Sequence, residues 1–262
     1  MNTGWTLRDT EFVALLTEAK QVELPSPLTF ISRTSTADEY DREMYTALQR
    51  AHGALGFDPA PMMQTLAHPD VTLEICAWDI RDPDGPEGMV RVHAARRAAH
   101  GVVVKQIPGE TRWHSGGFVV TECRAPDLAR VAVDQLPPSA PGTWGDVVLL
   151  GDGDGLDHSH GRSAVQVGAF AAESAQSRAV RFHAAPMSYV GGIKLRQERS
   201  AFGPRGCLSF EFDLRDLVDD GRYLLTDDNP PVAVPVDAAN LIAHINTRIA
   251  AIVQALRDER AR

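Results

Sequence analysis

The stretch VTLEICAWDI (71–80), followed by MVRVHAARR (89–97), HGVVVKQIPG (100–109) and GGFVVTECR (116–124), decides the fold class. In the first segment Val71, Leu73, Ile75 and Ala77 fall on one face, and Thr72, Glu74, Cys76 and Trp78 on the other. That period of two belongs to a strand. The next three segments are β-branched and separated by turns. RDPDGPEG (81–88) is the longest of these connections, and its chemistry accounts for the clustering of Asp79, Asp82 and Asp84. RAPDLARVAVDQL (124–136) then places Leu128, Val131, Ala132 and Leu136 on one side of a helix, with Asp127 expected as its N-cap.

The same order recurs downstream. SYVGGIKLRQERS (188–200), CLSFEFDLRD (207–216), GRYLLTDD (221–228) and PPVAVPV (230–236) are strand-like. Asp237 then caps a helix in which Leu241, Ile245, Ile249, Ile252 and Leu256 form a sustained apolar seam, with Ile242 and Val253 beside it. Such a seam packs on its own sheet or offers a groove to a partner helix. The terminal RDERAR reads as a solvated tail. Between the two runs lies PPSAPGTWGD (137–146), a Pro/Gly-rich linker. The expectation is therefore an α+β protein, 1–262, with a central, mostly antiparallel sheet between N-terminal and C-terminal helical bundles. Its quasi-twofold duplicated halves would span about 1–136 and 147–262. RSAVQVGAFAAESAQSRAVRFH (162–183) is ambiguous, since its alanines favour helix while Gly168 and the Val165/Val167 alternation oppose it.

The first 70 residues read as helical. Thr6 with Asp9 resembles a capping pair ahead of Leu7, Phe12, Leu15 and Leu16, and Thr36 with Glu39 a second one. The latter leads Tyr40, Met44, Leu48 and Ala51 to a stop at Gly53. Asp58-Pro59 is an N-cap with proline at the first helical position, ahead of Met62, Met63 and Leu66. Pro25 and Pro27 permit at most a short edge strand in QVELPSPLTF (21–30).

Composition narrows the function. Of 262 residues 44% are hydrophobic and 23% charged, with 26 Lys+Arg against 35 Asp+Glu for a net charge of −9. Ample apolar content opposes disorder. No run approaches the ~20 apolar residues of a membrane span, so no membrane insertion is expected. MNTGWTLRDTEF lacks a basic n-region, and Asp9 and Glu11 stand where an apolar core would lie, so no secretory signal is expected. Net acidity repels phosphate backbones, so nucleic acid is not an expected partner. The basic cluster RVHAARRAAH (91–100) carries no aromatic platform and reads as a solvated hairpin. Cys76, Cys123 and Cys207 are an odd, scattered set, which suits reduced thiols and a cytoplasmic location.

The most chemically suggestive segment is GDGDGLDHSHG (151–161). Asp152, Asp154 and Asp157 offer hard oxygens, and His158 and His160 an imidazole pair. A calcium loop would need a carboxylate at its twelfth position, where Ser163 or Val165 stands. Zinc would need a further protein ligand that no spacing marks. A metal-dependent hydrolase built on Asp152, His158 and His160 is nonetheless the alternative function. Phosphate-binding, esterase and zincin motifs are lacking, and His93, His100 and His114 lie near strands without a recognisable nucleophile. The residues lean toward a binding protein without cofactor or metal. Self-assembly through the C-terminal helix is a further alternative.

The order GGIKLRQERS (191–200), GPRG (203–206), FDLRDLVDDGRYLL (212–225) and VAVPVDAANLIAHI (232–245) resembles the EspG family of type VII (ESX) secretion-associated proteins. The matching features are Gly192-Ile193, Arg205, Asp220-Gly221-Arg222-Tyr223 and Val232 to Asp237. Leu7, Asp9, Glu11 and Phe12, Leu24 to Leu28, and Asp127, Leu128, Leu136 and Pro137 fit as well. The resemblance departs from the family at 145–190. It implies a non-enzymatic cytosolic chaperone, monomeric or weakly dimeric when free. Such a chaperone binds a PE–PPE heterodimer as a 1:1:1 complex and covers the apolar tip of the PPE helices. By position it implies contacts from Ile193, Lys194, Leu195, Arg196, Leu208, Phe210 and Arg222.

Overall fold

The computed structural model describes residues 3–19, 23–149 and 174–261. The chain opens with β1 (Thr3–Leu7), α1 (Asp9–Glu18), α2 (Ala37–Leu55) and α3 (Ala60–Ala67). A meander follows: β2 (Val71–Asp79), β3 (Met89–Arg97), β4 (His100–Pro108) and β5 (Ser115–Arg124). A 3-10 turn over Ala125–Asp127 leads into α4 (Leu128–Val133). After β6 (Val147–Val148) and α5 (Ala175–Ala184) comes a second meander: β7 (Met187–Gln197), β8 (Ser209–Leu217), β9 (Arg222–Leu225) and β10 (Val232–Pro235). It ends in α6 (Ala238–Arg260). The described strands form one antiparallel sheet in the order β1-β5-β4-β3-β2-β7-β8-β9-β10-β6, and the class is α+β. β2 and β7 join the two meanders at its centre, with Ile75 opposite Ile193.

Strand alternation assigns each face its cover. On one face Val71, Leu73, Ile75, Ile193, Leu195, Phe212 and Leu214 pack beneath α4 and α6, which meet one another there. The seam predicted in α6 is the buried one: Leu241, Ile245, Ile249, Ile252 and Leu256. Full burial of each such side chain contributes about 1.5–3 kcal/mol before entropy is subtracted. On the opposite face α1 and α3 set Phe12, Leu15, Leu16, Met62, Met63 and Leu66 against Val102, Val104, Phe118 and Val120. A third cluster joins Phe182 of α5 to Val147, Leu217, Tyr223 and Leu225.

The caps at Thr36 and Asp237 form as expected: Thr36 Oγ1 accepts from the Glu39 amide at 3.3 Å and Asp237 Oδ1 from the Asn240 amide at 2.7 Å. Other expectations change. Thr6 caps nothing; residues 3–7 pair with β5 as an edge strand, and α1 begins at Asp9 with the Glu11 carboxylate accepting from the Arg8 amide at 3.0 Å. α2 runs past Gly53 to Leu55 and stops at Gly56, whose φ of +67° suits glycine. α3 begins at Ala60, one residue later than expected, with Pro59 as its N-cap residue, and Asp58 Oδ1 still accepts from the Ala60 amide at 2.9 Å. The described part of 21–30 adds no strand. Asp127 makes no capping bond and pairs with Arg124 at 3.0 Å. Of 162–183, residues 162–173 lie outside the described residues and the rest is helical from Ala175.

Residues 137–146 are docked rather than loose. The Gly142 amide donates to the Arg222 carbonyl at 3.1 Å, the Trp144 amide to Tyr223 Oη at 3.0 Å, and Thr143 to Asp220. Gly142 lies so close to the Tyr223 ring that a Cβ would stand 1.9 Å from Cζ. Nor is RVHAARRAAH uniformly solvated. Arg91 and His93 are buried; Arg91 donates to the Arg112 carbonyl and Thr29 Oγ1, and His93 Nδ1 bonds the Ser26 carbonyl at 2.8 Å.

Candidate docking surface

The seven partner-contact candidates divide by strand alternation. Ile193 and Leu195 are 0% exposed beneath α6, and Arg222 is 4% exposed in a bidentate pair with Asp216, at 2.7 and 2.8 Å. These three offer no side-chain surface to a visitor. Lys194 and Arg196 point to the other face and are exposed. Lys194 pairs with Glu211 across the ladder at 3.0 Å, and Arg196 approaches Glu198 at 3.7 Å. Phe210 is half-buried on the α6 side, where the Arg248 guanidinium stands 5.1 Å from its ring centroid. Leu208 is 37% exposed at the start of β8.

Leu208 belongs to a structured end of the molecule. Glu259, in the last turn of α6, accepts from Gln197 Nε2 (3.0 Å), Ser200 Oγ (3.0 Å) and the Ala201 amide (2.7 Å). Arg260 reaches Asp70 at 3.7 Å, and the Ala98 amide donates to Asp70 at 2.7 Å. The expected solvated tail is thus largely helix, and its carboxylate organises the β7–β8 connection. That connection presents Phe202, 62% exposed, and ends at the exposed Leu208. An exposed phenylalanine and an exposed leucine on one braced loop suit a contact surface.

On the other flank of α6 lies a hollow of about 840 Å³, between that helix and the β3–β4 turn. Its walls include Ala98, Ala99, Ala125, Pro126, Ala250 and Val253. Arg96, Arg124 and Arg257 also line it. Residues 96–100, 123–126 and 246–257 build it jointly, so no single motif announced it.

The opposite end of the sheet holds a hollow of about 560 Å³ with a different character. Three of its carboxylates are engaged: Asp79 by Arg81, which holds that carboxyl down at about 2, Asp216 by Arg222 and Asp134 by Arg130 at 3.1 Å. The Tyr189 hydroxyl there is buried without a hydrogen-bond partner, and burial pushes its phenol up.

The chemistry available is modest. Cys76, Cys123 and Cys207 are free thiols, each pushed up by burial, Cys123 to about 11, which opposes thiolate formation. Asp152, His158 and His160 lie outside the described residues. Among the described residues, no group of three His, Cys, Asp or Glu is placed to hold a metal ion, and no helix is long and apolar enough to cross a membrane.

Comparison with known proteins fits this arrangement. No curated protein matches the sequence. A solved structure similar to this fold is the Mycobacterium tuberculosis type VII secretion system chaperone EspG5 in complex with the PE25–PPE41 dimer. It has a TM-score of 0.57 and 14% identity over 94% of this chain and 95% of that one. The model of the EspG family matches residues 9–247, so the match runs from α1 into the middle of α6, and the chain belongs to the EspG family.

Proposed function

We propose that the protein is a non-enzymatic, cytoplasmic chaperone of type VII secretion. It binds a PE–PPE heterodimer as a 1:1:1 complex and covers the apolar tip of the PPE helices. The observation that carries this reading is the family match over residues 9–247, reinforced by a fold shared end to end with a chaperone solved on PE25–PPE41. The work is burial rather than bond-making. An exposed apolar tip promotes aggregation, and covering it gains about 25 cal/mol per Å² before association costs.

The contact surface of this reading is the end of the sheet where α6 terminates. Leu208 and Phe202 lie in the β7–β8 connection braced by the end of the helix, Arg196 and Lys194 on the outward face of β7, and the 840 Å³ hollow on the other flank of α6. Ile193 and Leu195 support that surface from beneath, whereas Arg222 lies at the opposite end of the sheet in its pair with Asp216. We further read the two meanders, each of four strands closed by a helix, as duplicated halves related by a quasi-twofold axis between β2 and β7. The recurrence of α4 and α6 on one face supports this.

Co-expression with PE–PPE pairs of the same genome, followed by size-exclusion chromatography with light scattering, tests the reading. A 1:1:1 complex with at least one pair is expected. Separate elution from every pair overturns it.

A further inference from the structure

The hollow beside α6 is chemically one-sided. The chain carries a net charge of −9, yet Arg96, Arg124, Arg257 and His100 line this cavity and no carboxylate does. Arg124 is engaged from outside by Asp127 at 3.0 Å. Neither Arg96 nor Arg257 has a carboxylate within 4.0 Å among the described residues. Asp70, the nearby acid, is held by Arg260 and the Ala98 amide. Around these guanidinium groups the surface is apolar and open: Ala98, Ala99, Pro126 and Ala250 are exposed, and Val253 is half-buried.

An apolar floor with two uncommitted guanidinium groups in an acidic protein selects its ligand by charge as well as by shape. Arginine presents a planar fork that matches a carboxylate in two parallel hydrogen bonds. A purely apolar tip would leave both forks partly desolvated and unpaired, a cost that lowers affinity. A basic tip would be repelled. We infer that this groove is a docking site for an apolar helical tip of the client flanked by at least one Asp or Glu, whose carboxylate pairs with Arg96 and Arg257. The inference rests on the chaperone reading above and adds to it the chemistry that separates one client from another.

Burial, together with the like charges of Arg257 and Arg260, makes the Arg96 guanidinium give up its proton more readily than usual, while Asp70 opposes this. A carboxylate arriving in the groove relieves that crowding of positive charge.

The probe is the PE–PPE pair that co-purifies with the wild-type protein, titrated at about 50 and 500 mM salt. The panel comprises the wild type, Arg96→Gln/Arg257→Gln, Arg96→Lys/Arg257→Lys and Ala250→Glu, each checked for an unchanged thermal midpoint. Ala250 is exposed, so its replacement leaves the core intact. The Gln pair is expected to weaken binding tenfold or more at low salt and to flatten the salt dependence. The Lys pair keeps the charge but not the bidentate fork, so it should keep the salt dependence with an affinity between the wild type and the Gln pair, and Ala250→Glu should abolish binding. If the Gln pair binds as the wild type with the same salt slope while Ala250→Glu abolishes binding, the acidic flank is wrong and the groove stands. If every variant binds as the wild type, the client docks elsewhere and the inference falls while the chaperone reading stands. A wild type that binds no pair ends both. A wild type that is dimeric alone and made monomeric by Ala250→Glu would show a second copy in the groove, which also overturns the inference.

Discussion

Arg222 separates a contact residue from a structural one more sharply than any other position. The resemblance to EspG proteins places it in an Asp-Gly-Arg-Tyr turn and nominates it as a partner contact. The structure puts its guanidinium against Asp216 at 2.7 and 2.8 Å, with side chains 5% and 12% exposed. Its main chain also anchors the linker: the Arg222 amide donates to the Ala140 carbonyl at 2.8 Å, and its carbonyl accepts from the Gly142 amide. Arg222→Ala keeps those main-chain bonds and leaves the Asp216 carboxylate buried without its partner. Losing one member of such a pair costs about 3–5 kcal/mol, because the remaining charge was desolvated for an interaction no longer made. For a chain of this size that corresponds to a midpoint lowered by roughly 6–20 °C. Arg222→Met with Asp216→Leu removes both charges and should recover most of the loss. Differential scanning calorimetry reads the midpoints, and client titration at 15 °C, where the single variant remains folded, reads affinity. A single variant that loses under about 1 kcal/mol in stability but binds the client tenfold more weakly would refute the buried-pair argument and restore Arg222 as a contact.

Three further outcomes follow from the same geometry. Asp237→Ala removes the acceptor for the Asn240 amide at the start of α6 and should cost about 1 kcal/mol, measured by urea unfolding. Glu259→Ala cuts three hydrogen bonds to Gln197, Ser200 and Ala201, so hydrogen exchange over residues 198–207 should quicken while β7 stays protected. His93 is buried, which pushes its imidazole down from the usual 6.5; the Ser26 carbonyl and Glu198 oppose this but do not win. A base depressed in the folded state contributes stability that is present above pH 6.5 and lost as pH falls toward its folded value. His93→Gln should therefore flatten the decline in unfolding free energy between pH 7 and 5.5. Glu74, cross-strand from His93 and pushed up by burial, acts in the opposite sense in both proteins and cancels in the comparison.

The sheet was legible wherever its alternation was long. Val71 to Ala77 read correctly because every second residue is apolar over a full strand, and the α6 seam because five apolar residues recur at three- and four-residue spacing over about four turns. β1 was not, since TGWTL is five residues long. Its strand character comes from pairing with Val119 and Val120 more than a hundred positions away, while Thr6 and Asp9 imitate a cap locally. Arg222 misled for the same reason: its partner Asp216 is close in sequence, but their burial depends on strands assembling around them. Lys194 and Arg196 could be placed on the outward face by counting from Ile193. The groove beside α6 had almost no local signal. The one available hint was Ala98-Ala99 between Arg97 and His100, a small, apolar turn where hairpins usually carry polar residues.

In a complex of the proposed kind, the PE–PPE tip is buried against the end of the molecule where α6 stops. Hydrogen exchange of the purified complex against the free protein, both at pH 7, measures this directly. Protection on binding should concentrate at residues 96–100, 124–126, 198–208 and the second half of α6, while β1 and α1 are unchanged. Protection confined to other surfaces, with those four segments exchanging as in the free protein, would contradict it.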